Sequence, residues 1–325
     1  MSRLLAAFAA PALLFATPAF AVQQPAAAPA VQADPGTPAA NFHSERIGVT
    51  VMGSGPDVVL IPGLSSTPAV WASTMAALPG YRYHLIHVSG FAGRPAGANA
   101  QGPYLTQVAD EIARYIREAH LDHPAVVGHS MGGSWTIMLA GRHPELVGKA
   151  MVVDMLPYLG IMLRSQGMTE EQMTQMIDQM QNMLANAPAE QRRMMTSMMV
   201  SAMINTESEK QPNINASLAS DQVVAAQGFT DLMRTNLLED VGRIRAPLVV
   251  LYVQPASQPG GPTITPEQID RAYQLSYRGA PQAIVRRVPN SAHFIMFDNA
   301  PFFQAQLREF LTNPGTPRPA APPAQ

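Results

Sequence analysis

A serine stands between two glycines where an apolar run ends, in Ala125-Val126-Val127-Gly128-His129-Ser130-Met131-Gly132-Gly133. A serine hydroxyl is a weak nucleophile until a base takes its proton and donors stabilise the oxyanion that its attack creates. The Gly-x-Ser-x-Gly spacing is one way to place such a serine. A strand turns sharply into a helix, the serine takes the strained tip, and the glycines leave room for the turn. Val126 and Val127 read as the strand end and residues 134–139 as the start of a helix, so both flanks supply the required context. The competing reading is a plain tight turn with a capping serine, and the flanks weigh against it. No cluster of histidines or carboxylates has metal-ligand spacing, and the sequence implies neither a metal nor a cofactor.

The elements that must position this serine recur along the chain. RIGVTVM, DVVLIPG, YHLIHVSG, PAVVGHS, KAMVVDM, PLVVLYV and AIVRRVP are short runs rich in valine and isoleucine, most of them apolar throughout, as strands covered on both faces should be. Helical patterns alternate with several of them; in residues 104–121, Val108, Ile112, Tyr115 and Ile116 fall at helical spacing. The pattern predicts an α/β fold with a mostly parallel central sheet flanked by helices, its core running over 42–156 and 241–312. Residues 157–240 break the rhythm and read as an inserted helical cap. Thr169 and Gln172 form a capping box ahead of Met173, Met176, Met180 and Met183, and a second helix carries Met195, Met199 and Met203 on one stripe. Thirteen of the 20 methionines lie between Met155 and Met233. They serve either as packing between cap and core or as an adaptable apolar pocket, because methionine is unbranched and polarisable.

Composition limits the partners. With a net charge of −2 and 14% charged residues there is no basic face for nucleic acid. Residues 1–21 place Arg3 before an apolar stretch ending in Ala19-Phe20-Ala21, which reads as an export signal cleaved after Ala21, giving a periplasmic or secreted protein. Pro11 and Pro18 argue against a membrane anchor, so no stable span is expected after cleavage. Residues 22–41 read as a Pro/Ala-rich linker and 313–325 as a similar disordered tail. There is no cysteine, so no disulfide contributes to stability.

The ordered set VVLIPGLSS, Trp71, SGFAG, GHSMGG, HPELVGKAMVVD and NSAHFIMFDNAPFF resembles the α/β-hydrolase family over residues 45–312. The resemblance implies that Ser130 is the nucleophile and that His293, in the loop after the last strand, is the general base. It implies an oxyanion hole made by the backbone N–H groups of Leu64 and Met131. Pro62-Gly63 stands where many relatives carry His-Gly, a change that leaves the amide donors in place. Ser65 and Ser66 read as turn formers. The acid departs from the common pattern. Most members place an aspartate soon after the strand equivalent to PLVVLYV, but here no carboxylate follows until Glu267. Glu267 is well explained as a helix-start charge after Thr265 and Pro266, whereas Asp154, at the end of KAMVVDM, matches the minority position and is the favoured acid. Asp298 reads as a helix cap.

These residues imply a serine hydrolase that cleaves a carboxylic ester of a hydrophobic small molecule, or a lactone, thioester or amide, through an acyl-enzyme. The alternatives are cofactor-free perhydrolysis of the haloperoxidase type, which uses the same apparatus, and a non-catalytic ligand-binding protein on the same fold. Substrate identity and oligomeric state are not legible.

Overall fold

Each of the seven apolar runs forms a strand. The computed structural model describes residues 37–39, 42–161, 167–255 and 264–313. The export signal, most of the Pro/Ala-rich linker and the tail from residue 314 onward lie outside the described residues. The strands are β2 (Ile47–Gly53), β3 (Asp57–Ile61), β4 (Arg82–Val88), β5 (Ala125–His129), β6 (Lys149–Val153), β7 (Leu248–Tyr252) and β8 (Ile284–Arg287). An eighth, β1 (Thr37–Pro38), comes from the segment expected to be a free linker. It pairs antiparallel with β2, Thr37 opposite Val51, because the outer edge of β2 offers unpaired backbone groups.

The sheet order is β1-β2-β4-β3-β5-β6-β7-β8, with β2 antiparallel to β4 and every pair from β4 to β8 parallel. The chain places β4 on one side of β3 and β5 on the other. In open α/β sheets such a reversal leaves a crevice beyond the carboxyl ends of the strands, and ligands bind there. The loops after β3 and β5 carry Leu64 and Ser130.

Alternation along the strands divides the core. Val59, Ile61, Val126 and Val152 face the helices α2 (Leu105–Glu118), α3 (Met131–Arg142) and α9 (Pro266–Ser276). Val58, Leu60, Val127, Met151 and Val153 face Trp71 and Phe303, Leu307 and Phe310 of α10 (Ala300–Thr312). A short helix, α1 (Ala72–Ala77), follows Trp71, and Trp71 stacks on Phe303 at 6.0 Å between ring centres.

Between β6 and β7 the described residues hold α4 (Glu170–Ala185), α5 (Ala189–Met203), α6 (Glu207–Ala219), α7 (Gln222–Arg234) and α8 (Leu238–Arg243), and no strand. The Thr169–Gln172 capping box is formed. The methionines divide. Met173 is buried with Ile177 and Met233 between α4 and α7, whereas α5 buries only Val200 and leaves Met194, Met198 and Met199 exposed at 57%, 68% and 46%. Of the expected stripe on α5, Met203 is partly buried against the core and Met195 is half-buried, while Met199 is exposed.

Several attachments hold these helices on the core, three of them near β4 and α2. The Asp221 N–H donates to Gly90 O (2.8 Å), and the Ala92 N–H donates to Ser220 Oγ (2.8 Å). Gly90 has φ +92°, and a Cβ there would come within 2.7 Å of Val224, so only glycine fits. The third attachment is Asp231, buried in α7, whose Oδ2 accepts the Tyr104 N–H (2.9 Å) at the start of α2 while Oδ1 accepts from Gln227 (2.6 Å).

Burial pushes the Asp231 carboxyl above its ordinary 3.8, against the opposing pull of these hydrogen bonds. The folded chain then holds this proton more tightly than the unfolded chain, so stability falls as pH rises from 3.8 through the raised value. Asp231→Asn removes that slope. In urea unfolding across pH ~4 to ~7, wild type gains on the variant as pH is lowered; a stability difference independent of pH contradicts this.

Candidate active site

Ser130 follows β5 and precedes α3 with φ 53° and ψ −124°, a backbone conformation that costs a non-glycine residue about 1–3 kcal/mol. Neighbours hold it there. The Ser130 N–H donates to Val153 O (2.8 Å), and the Gly133 N–H donates to Ser130 O (2.7 Å). The glycines are required by close backbone approach: a Cβ on Gly128 would lie 2.0 Å from Gly132 O, and one on Gly132 would lie 2.3 Å from Ile61 O. The first turn of α3 is therefore pressed against the end of β3.

That contact brings together the two segments carrying the expected oxyanion donors. A Cβ on Gly63 would lie 3.0 Å from Ser130 Cβ, so the serine stands against the Gly63 backbone. The Ser66 N–H donates to Gly63 O (3.2 Å) and Ser65 has φ 58°, so both serines shape a tight turn. Among the described residues neither the Leu64 N–H nor the buried Met131 N–H has an acceptor in the protein. Both are left for a ligand, and Met131 lies at the positive end of α3.

Asp154 follows β6 directly, and φ 53° turns it out of the strand; aspartate tolerates this region better than most residues. Its N–H donates to Leu251 O (2.7 Å). Oδ2 accepts from His293 Nδ1 at 2.6 Å, and Oδ1 accepts the Val253 N–H (3.1 Å) and the Tyr273 hydroxyl (3.0 Å). With Nδ1–H committed to the carboxylate, His293 Nε2 carries the free lone pair. Among the described residues neither Ser130 Oγ nor His293 Nε2 has a hydrogen-bond partner. Ligand-free sites often hold this pair apart and close it around substrate. Glu267 is fully exposed and bonded to Thr265, a hydrogen bond that holds its carboxyl below the ordinary value, and it makes no contact with His293.

Three residues whose parts in this site were not read from sequence support His293. His129, one residue before Ser130, is fully buried, and its Nε2–H donates to the His293 carbonyl (3.0 Å) while its ring lies 4.6 Å from both the His293 and Phe294 rings. Burial, aided by the neighbouring His293, pushes its pKa well below the usual value, so it stays neutral and adds no charge beside His293. Asp298, read from sequence as a helix cap, instead binds the chain just ahead of α6. Oδ1 accepts the Asn205 and Thr206 N–H groups (2.9 and 2.8 Å) and the Thr206 hydroxyl, while Oδ2 takes the Ala292 N–H (2.9 Å). The histidine loop is thereby tied to the inserted helices. Tyr273 is the third; its only sequence signal is its i,i+4 spacing with Tyr277 on α9. His84 and His87 are satisfied structural residues, bonded to Asp57 and to Phe91 O.

A family model described as the alpha/beta hydrolase family matches residues 58–305. The chain belongs to the alpha/beta hydrolase family. The chain is 27% identical over 267 residues to the pimeloyl-[acyl-carrier protein] methyl ester esterase of Vibrio cholerae serotype O1, covering 81% of this chain and 96% of that one. It is 31% identical over 117 residues to a 2-(acetamidomethylene)succinate hydrolase of Mesorhizobium japonicum, covering 35% and 40%. The first curated relatives it matches are spanned over only 37–40% of their length. Among solved structures, a bromoperoxidase from Bacillus anthracis superposes on 82% of this chain and 95% of its own, with a TM-score of 0.67 at 17% identity, and shares the fold.

Gly132→Ala places its methyl group against the Ile61 and Pro62 carbonyls. It is expected to cost about 1–3 kcal/mol in urea unfolding. An unchanged midpoint contradicts the close approach of α3 and β3.

Proposed function

We propose that this hydrolase is an exported serine esterase acting on a carboxylic ester of a small hydrophobic molecule. Ser130 Oγ attacks the ester carbonyl as His293 Nε2 takes its proton, and the Leu64 and Met131 N–H groups stabilise the oxyanion. Collapse of the tetrahedral adduct expels the alcohol, which receives its proton from His293. Water, activated by the same imidazole, then releases the acid and restores Ser130. Asp154 holds the imidazole in the tautomer that leaves Nε2 basic and stabilises the imidazolium that forms.

One observation carries the reading: the 2.6 Å bond between His293 Nδ1 and Asp154 Oδ2, on a loop that His129 anchors beside the strained serine. A general base contributes about 10²–10⁴ in rate and each oxyanion donor about 10²–10³, so the base and the hole together account for a large share of an esterase's acceleration. Relatives named as esterases and hydrolases agree with the reaction class. The helices between β6 and β7 act as a cap over the strand ends, and the apolar Leu64, Met155 and Phe294 nearby suit a hydrophobic acyl or alcohol group. The leader ending in Ala19-Phe20-Ala21 supports export. Among the described residues no helix is long and apolar enough to cross a membrane.

A chain-length series of aryl esters tests the assignment of the acid. Asp154→Asn is expected to lower kcat by about 10³–10⁴ and Glu267→Gln by less than about twofold; the reverse order assigns the acid to Glu267. A fluorophosphonate probe is expected to label Ser130 in wild type and nothing in folded Ser130→Ala. A folded wild type that resists the probe supports the ligand-binding reading. Chain recovered from outside the cytoplasm is expected to begin at Val22, and one that begins at Met1 contradicts cleavage.

A further inference from the structure

We propose that Tyr273 is a positioning residue for the acid: its hydroxyl holds the Oδ1 edge of Asp154 so that Oδ2 stays aimed at His293. This rests on the esterase reading of the site. A carboxylate bound through one oxygen alone is free to swing about χ2. Asp154 is bound on both, with Tyr273 and the Val253 N–H on Oδ1 and His293 on Oδ2.

Tyr273 is itself fixed. It is buried on α9, stacked on Tyr252 at 4.0 Å and 12° and aligned with Tyr277 at 6.4 Å and 9°. Tyr252 donates to Asp270 (2.9 Å), which also accepts from Arg287 (2.7 Å), and Tyr277 donates to Met155 O (2.6 Å), next to the acid. Burial, and then the Asp154 charge, push the Tyr273 pKa well above the usual value, so the hydroxyl remains a donor throughout the working range. The titratable groups facing the Asp154–His293 pair are Tyr273, Tyr277 and the neutral His129, with Tyr252 behind Tyr273.

Without the Tyr273 donor Oδ2 is held less firmly on His293, the carboxylate stabilises the imidazolium less, and the acid limb of the kcat/KM profile moves to lower pH. The test uses Tyr273→Phe in the full chain with an activated aryl ester, since this change keeps the ring stack. The expected result is about a tenfold fall in kcat, the rate equivalent of one hydrogen bond to a charged group, with KM within about twofold and the acid limb shifted downward. In the Asp154→Asn background Tyr273→Phe is expected to cause no further loss, because the two act as a unit. Tyr277→Phe is expected to leave the limb in place. Equal losses in both backgrounds, a limb that stays or moves up, or an equal shift in Tyr277→Phe overturns the inference. Should Tyr273→Phe fail to fold, 3-fluorotyrosine at position 273, which keeps the donor, is expected to hold kcat within about twofold of wild type with the limb in place; a tenfold fall in kcat overturns it. Full activity in Ser130→Ala instead overturns the esterase reading itself.

Discussion

Close backbone approach at the carboxyl ends of β3 and β5 is the constraint on which the rest depends. Gly132 packs on the carbonyls of Ile61 and Pro62, and Gly63 packs on Ser130 Cβ, so the two loops cannot separate without losing both contacts. The strained Ser130 conformation persists because the sheet holds it: its N–H is bonded to β6, and its carbonyl receives the Gly133 N–H of the helix that follows. The reversal of strand order supplies the crevice, and this contact decides which groups line it.

His293 reaches the same place from a distant loop, and its position is determined from several sides. Asp154 takes the ring nitrogen, His129 takes the carbonyl, and Asp298 takes the Ala292 N–H. These supports come from different elements, so the imidazole depends on the packing of β5, β6 and the inserted helices at once. Asp298 links the loop to the corner between α5 and α6 with three further hydrogen bonds, and the Phe294 N–H donates to Met203 O (3.2 Å). The inserted helices are therefore joined directly to the histidine loop, through the Asp298 carboxylate and one backbone hydrogen bond.

Much of the fold was legible because buried parallel strands are continuous apolar runs and α2 repeats at helical spacing with Val108, Ile112 and Ile116 all buried. Local chemistry was legible as well: the Thr169–Gln172 capping box forms, and the glycines around Ser130 sit where a side chain would strike backbone. What escaped depends on tertiary placement. β1 lies in a Pro/Ala-rich segment whose composition says nothing of the open β2 edge. Met194 and Met198 have helical spacing without burial, since periodicity cannot say whether another surface covers a stripe. His129 reads as packing until His293, 164 positions away, folds onto it, and Tyr273 meets Asp154 across 119 positions.

The most direct test of the central claim is a crystal structure of the chain after reaction with an aryl phosphonate. The account predicts phosphorus bonded to Ser130 Oγ and one phosphonyl oxygen about 2.7–3.1 Å from both the Leu64 and Met131 nitrogens, with His293 Nε2 turned toward Oγ. An adduct on another residue, or a phosphonyl oxygen facing away from both amides, contradicts it.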